Sequence, residues 1–520
     1  MSSYDYIVVG AGTAGCVIAS RLSENDSVRV LLLEAGPAEP PETVALPPAW
    51  PTLIGSGLSW GDSTIRQAAT GTSMLVARGR VLGGSSTINA MLFARGHRSS
   101  YDAWISAGAE GWGFDALLPY LKRSENAPGR DPVVRGLGGP LTIAPANPPN
   151  PLIVACMDAA SEQGHTRADD ISGGLEDGFG WPDLNIVDGK RQSAADAYLE
   201  PALARRNLEI VPHALVRRLQ IEGERCTGVL YSTGRELTSA NCSGEVVLTA
   251  GTIGSAQLLM LSGIGPRDHL EQVGVEVVLD LAGVGSNLHD HPIANVVYRA
   301  ARPVPPARNN HGEAFGLLRS DAALATPDFQ ILFVDAPGHL ATAVDGYSIA
   351  AALTTPRSRG SVRLAGGEPG TAPLLDPNYY DDDHDYSLMV TALRRAREIG
   401  QAEALDPWRD SEIAPGAAVQ DDADLRAYIA QSLGSLYHPV GTCRIGVDDM
   451  AVVDTSLRVR GTTALRVADA SVMPSIVTGY TNATVYAIAE RAAQLISSQH
   501  ETETTGRHPT KHEATAPARS

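Results

Sequence analysis

Apolar residues along this chain follow two rhythms. Short runs with little polar interruption fall at residues 7–9 and 28–33, at 245–250, and again in FQILFV and YSIAAAL between 329 and 353. Runs of that length suit buried strands. Elsewhere apolar positions recur at helical spacing. Ala14, Val17, Ile18 and Leu22 do so near the start, and Val485, Ile488, Ala492 and Leu495 do so near the end. Helices are also expected over 111–125, near 152–163, ahead of Tyr198, through Leu261 and from 383 onward.

The order of these elements predicts a fold. A strand, glycine turn, helix and second strand open the chain, and EVVLTAG begins another strand–turn–helix at 245. From 293 to 430 strands alternate with turns before helices follow, as in an antiparallel sheet covered on one side. At 520 residues the chain exceeds one ordinary core. The expected architecture is an α/β Rossmann-like nucleotide domain interleaved with an α+β substrate domain. The first takes residues 1–150, 201–292 and 438–497, and the second takes 151–200 and 293–437. Residues 498–520 are polar and read as a disordered tail.

Charge and cysteine usage narrow the function. A net charge of -18 argues against nucleic-acid binding, which needs basic stripes, and favours solubility. It also offers a weak general attraction for cationic substrates. The five cysteines are scattered and form no CxxC, so neither a disulfide framework nor a zinc site is expected. The first strand begins almost at Met1, and no apolar run is long enough to span a membrane. A cytoplasmic protein without an integral membrane segment is expected.

The opening turn carries the first chemistry. Gly10 permits the tight turn, Gly12 admits a pyrophosphate and Gly15 lets helix and strand pack closely. The phosphates would meet free amides at the helix N-terminus. Glu34, nineteen residues after Gly15, stands where a carboxylate meets a ribose diol. This pattern alone does not separate FAD from NAD. In GRVLGGSSTIN, Gly83, Gly84, Ser85, Ser86 and Asn89 can press backbone and hydroxyls against a flat or charged ligand, or simply cap a helix. GLSWG at 57–61 matches a nucleophile elbow but lacks the strand and helix that an elbow requires, so Ser59 is set aside. His289 and His291, flanking Asp290, suggest a metal site, yet no third ligand is evident. Hydrogen bonding within their own glycine-rich turn is the expected role, and no metal is expected.

Taken together these motifs resemble the glucose–methanol–choline (GMC) oxidoreductases, FAD-dependent alcohol oxidases and dehydrogenases. The resemblance spans about residues 4 to 497. It rests on GAGTAG with Glu34, on GRVLGGSSTIN running to FARG and Tyr101-Asp102, on GTIGSAQLLMLSGIGP, and on the HPVGTCRIG, VADASVMP and TNAT series. Within the family the chain looks most like the bacterial choline-dehydrogenase-like branch, which also holds aryl-alcohol oxidases.

The resemblance implies FAD, with hydride passing from the alcohol carbon to flavin N5 and electrons then to O2 or a quinone-type acceptor. It makes His438 the active-site histidine, a base whose pKa can be set near neutrality. It makes Asn482 a ligand of the substrate oxygen, a role that an N-cap could share. For the cofactor it implies Gly10, Gly12, Thr13, Ala14, Gly15, Glu34 and Ala35, then Arg80, Gly83, Gly84, Ser85, Asn89, Ala90 and Met91. Val216, Ala250, Gly251, Asp469, Ala470, Asn482, Ala483 and Thr484 complete that set. Ile88 stands where covalent members carry histidine, so the flavin is expected to be noncovalent. Tyr437 and Trp60 are compatible with a cation-stacking pocket for choline; a neutral primary alcohol is an equal expectation. The alternative activity is that of a hydroxynitrile lyase on the same fold, in which no electrons move. The sequence leaves the oligomeric state open.

Overall fold

Ser3–Val9 sits inside a seven-stranded sheet, flanked on both edges and with Ile7 and Val8 fully buried. This is why its sequence shows no alternation. Val30–Leu33 pairs parallel to one edge, with Leu208–Val211 beyond it. Glu236–Leu248 pairs parallel to the other edge. The far side of that long strand is shared. Its first half pairs antiparallel with Arg225–Thr233, and its second half pairs parallel with Leu465–Val467. The chain therefore returns at its C-terminal end to complete the sheet that it opened. The computed structural model describes residues 3–338 and 344–505.

Helices Thr13–Leu22 and Thr481–Thr505 pack together beside this sheet. Glu490 joins them, buried, with its carboxylate 2.7 Å from Arg21 and accepting from the Tyr198 hydroxyl at 2.9 Å. The apolar spacing from Val485 to Leu495 predicts the last helix. It begins at Thr481 and runs through Thr505, so positions 498–505 continue the helix rather than open the tail. The remainder of the expected tail lies outside the described residues.

A second seven-stranded sheet is antiparallel. Its main order is Arg409–Ala414, Pro292–Ala300, Gly346–Leu353, Phe329–Val334, Ala314–Leu318 and Gly178–Gly180. Phe329, Ile331 and Phe333 face helices Pro151–Glu162 and Asp383–Gly400. Leu332, Ala350 and Ala352 pack on the opposite face with Ile293, Leu92 and Tyr480. Both faces are covered, which accounts for the unbroken apolar strands here. No helix among the described residues is long and apolar enough to cross a membrane. Ser59 makes an isolated bridge to Gly79, and no helix follows it.

Candidate active site

The first strand ends at Gly10, whose φ of +99° favours glycine. A Cβ there would stand 2.7 Å from the Thr249 carbonyl oxygen. At Gly15 a Cβ would stand 1.9 Å from the Gly10 oxygen. Both glycines are therefore demanded by the protein itself. Gly12 is different. Its φ is -75°, and a Cβ would meet nothing nearer than 3.9 Å. Nothing in the protein requires glycine at position 12, but a ligand brought against the backbone would. The helix that starts at Thr13 has no side-chain cap, so its first-turn amides are available to an anion.

A cavity of about 770 Å³ runs from this turn to the second sheet. Of the expected cofactor residues, Gly10, Gly12, Thr13, Ala14, Glu34, Ala35, Arg80, Gly84, Ser85, Asn89, Ala90 and Met91 line it. So do Val216, Ala250, Gly251, Asp469, Ala470 and Asn482, together with His438. Four expected residues lie behind the wall. Gly15 packs on Gly10, and the Gly83 amide donates to the Ala11 carbonyl at 2.8 Å. The Ala483 amide donates to the Asn482 side chain, and the Thr484 hydroxyl is 2.8 Å from that of Tyr101. An open backbone cradle, an uncapped helix and a carboxylate at the next strand end match a dinucleotide. Glu34 accepts from the Ala11 and Gly36 amides at 3.0 and 2.8 Å. Burial pushes its carboxyl up to about 7 against those bonds. Ile88 lines the cavity and packs with Val44, Leu53, Leu58 and Val81. Its aliphatic chain offers no nucleophile to a flavin.

His438 lines the cavity beside a second histidine. Its Nδ1 lies 3.0 Å from Nδ1 of His291, with the rings edge to face. Its backbone amide donates to Asp290 Oδ1 at 2.7 Å, and so does that of His291. The Tyr379 and Ser435 hydroxyls donate to Asp290 Oδ2, the first at 2.6 Å. One buried carboxylate therefore fixes both histidine backbones. Burial raises the Asp290 pKa, opposed by those donors. Burial also pushes the His438 imidazole down to about 3, and that of His291 well below its ordinary value. Both rings are neutral across the physiological range. His438 Nε2 remains for the cavity.

Asn482 lies in the first turn of the last helix rather than before it. Its Nδ2 donates to the Leu92 carbonyl at 2.8 Å, and its Oδ1 accepts from the Ala483 amide at 2.7 Å. Asn482 thus satisfies one of the helix's open amides while lining the cavity. Trp60 also lines it, but the guanidiniums of Arg78 and Arg80 lie over its ring at 4.5 and 5.0 Å.

The turn at His289, Asp290 and His291, expected to bond within itself, does so only in part. His289 does bond the Asn287 carbonyl, and Asp290 the next amide. Their remaining bonds reach Ile476, Tyr379, Ser435 and His438. The signal was a His–Asp–His triplet set directly before a buried strand. Among the described residues no group of His, Cys, Asp and Glu could hold a metal.

Comparison with known proteins gives the same picture. Residues 4–293 and 356–489 match two family profiles, both described as GMC oxidoreductase. The chain is 37% identical to the mitochondrial choline dehydrogenase of Homo sapiens, over 95% of this chain and 90% of that one. It is 38% identical to an oxygen-dependent choline dehydrogenase of Vibrio vulnificus, over 95% and 94%. Among solved structures it resembles the pyridoxine 4-oxidase described from Mesorbium loti. The TM-score is 0.92 at 38% identity, covering 96% of this chain and 99% of that one.

Proposed function

The chain belongs to the GMC oxidoreductase family, and we propose that it oxidises a primary alcohol to the aldehyde with His438 as the proton acceptor. It is an enzyme acting on CH–OH donors, and its cofactor is noncovalent FAD, which when bound supplies the hydride acceptor. The observation that carries the reading is the fixed pair of neutral histidines. His291 occupies Nδ1 of His438, so the other ring nitrogen is left for an alcohol in the cavity.

The residues divide the work. Gly12 and the amides of the helix at Thr13 would take the diphosphate, and Glu34 the ribose hydroxyls. Ser85, Asn89 and Asp469 would border the rest of the cofactor. Asn482 would hold the alcohol oxygen, leaving its proton to His438. Ile293, Leu332 and Val334 line the same cavity as apolar walls that limit water. An imidazole held near pKa 3 is a weak base and cannot strip an alcohol in advance. His438 would therefore take the proton as the C–H bond breaks. Five free, buried cysteines fit the cytoplasm that we propose as the compartment. Dioxygen is the proposed electron acceptor, with a quinone-type acceptor as the other option.

The test is an anaerobic absorbance titration with choline, benzyl, furfuryl and aliphatic alcohols. Bleaching of the flavin by an alcohol supports oxidation, whereas a hydroxynitrile lyase-like reaction leaves the flavin yellow. H438A should keep its FAD and be reduced about a hundredfold more slowly or worse. Unchanged reduction would remove His438 from the mechanism. Peroxide formed on admitting air would identify oxygen as the acceptor.

A further inference from the structure

We propose that the alcohol taken by this site is uncharged, and that a quaternary ammonium alcohol such as choline is rejected. This deepens the alcohol-oxidising reading and depends on it. The protein as a whole is acidic, but the charges that decide binding are those inside the cavity.

Among the described residues three carboxylates line the cavity, and each is engaged by the protein. Glu34 accepts two backbone amides at the nucleotide end. Asp469 accepts from the Gly251 amide and the Ser255 hydroxyl. Asp62 is paired with Arg78. Near His438 the lining is Ile293, Asn295, Leu332, Val334, Leu436 and Tyr437, with no acid among them. Asp290 does not line the cavity, and its two oxygens take four donors. Asp335 is held by His311 at 2.6 Å and by Asn150 at 2.8 Å. His311 itself lines the cavity. Burial alone would lower its pKa, but the hydrogen bond and charge of Asp335 outweigh that and raise it. The stretch 339–343 carries no Asp or Glu in the sequence.

Aromatic faces can replace a carboxylate for quaternary ammonium groups. Two of the four Trp and Tyr side chains that line the cavity are already engaged. Trp60 already carries two guanidiniums. The Tyr480 ring makes edge-to-face contacts with His438 at 5.2 Å and Phe315 at 5.4 Å. Trp50, its indole N–H tied to the Asn310 carbonyl at 2.8 Å, and Tyr437 also line the cavity, and a ring face with no carboxylate beside it is a weak counter-charge for a cation. A permanent cation beside His438 would lose its water and meet no counter-charge, which is costly. An uncharged alcohol with an apolar or aromatic body carries no such penalty.

Choline and 3,3-dimethylbutan-1-ol have nearly the same shape and differ in charge. Binding of each to the H438A holoenzyme can be followed by perturbation of flavin absorbance, independent of turnover. The neutral isostere should bind at least tenfold more tightly. Equal or tighter binding of choline would overturn the proposal. A preference for the neutral compound, combined with a wild-type flavin that no alcohol reduces, would uphold the selectivity while removing the oxidation reading.

Discussion

The imidazoles of His291 and His438 meet Nδ1 to Nδ1 at 3.0 Å, and burial holds both neutral. One nitrogen must donate and the other accept. His291 Nε2 is buried and makes no hydrogen bond among the described residues. In the proposed mechanism His291 carries its proton on Nε2, so that its Nδ1 accepts from His438 and leaves a lone pair on His438 Nε2 for the substrate. His291 is thus a positioning residue. H291A should retain FAD yet be reduced by alcohol roughly tenfold to a hundredfold more slowly. H291N, which can still accept at the Nδ1 position, should recover part of that loss. Anaerobic stopped-flow reduction of the three proteins, across pH 6 to 9, checks this. Equal rates would show that the pair does not set the tautomer.

Asp290 beneath them is expected to matter first for stability. Four donors converge on its two oxygens, all buried. D290A leaves those donors unsatisfied and should cost about 3 kcal/mol or more, measured by urea unfolding of the holoenzyme. D290N keeps an acceptor for the two histidine amides and should cost less. The hydroxyls of Tyr379 and Ser435 can rotate to accept from its amide group.

The contrast between Asp290 and the opening turn shows what the sequence could reveal. Gly10, Gly15 and Glu34 lie within one strand–turn–helix–strand unit, so their spacing alone disclosed the tight turn, the close helix packing and the carboxylate at the next strand end. His438 and Asn482 emerged through motif resemblance. Asp290 was visible as a polar residue, but its partners at 379, 435 and 438 come from distant segments. Only the folded chain brings them within reach. The fold class was legible because the central strands of both sheets are buried on two faces, leaving apolar runs. The end of the last helix was not, since positions 498–505 are polar yet extend a helix already anchored by Ile488 and Ala492.

Gly12 and Gly15 should respond oppositely to the same substitution. G15A would drive a Cβ to 1.9 Å from the Gly10 oxygen and disrupt the packing of helix on strand. It should lower stability by several kcal/mol, or abolish soluble expression, by overpacking a backbone contact. In G12A the new methyl faces the cavity at ordinary distances from the protein. That variant should fold as an apoprotein with little loss but bind FAD at least tenfold more weakly, because the methyl occupies the backbone's contact with the diphosphate. Circular dichroism and FAD titration separate the two outcomes. A G12A protein with undiminished FAD affinity would show that the diphosphate lies elsewhere.

His289 gives the fold a dependence on pH. Its Nε2 accepts from the Ile476 amide at 2.9 Å, while its Nδ1 pairs with the Asn287 carbonyl at 2.7 Å. The ring can keep both bonds only when neutral. Burial first, then the nearby Arg359, pushes its pKa down to about 3. In the unfolded chain the ring titrates near 6.5. Between these values the unfolded state binds a proton that the native state refuses, so stability falls as pH drops below 6.5. From pH 6.5 to 5 this one group should cost about 2 kcal/mol. Glu34 works in the other sense. Its folded pKa near 7 lies above its ordinary value, so its contribution is lost as pH rises through 7. A variant that removes only the histidine isolates the first effect. H289Q, unable to take a proton, should unfold in urea with a shallower loss of stability on acidification, the gap to wild type narrowing by about 2 kcal/mol from pH 6.5 to 5. Parallel curves would mean that His289 is protonated in the native state as readily as in the unfolded one.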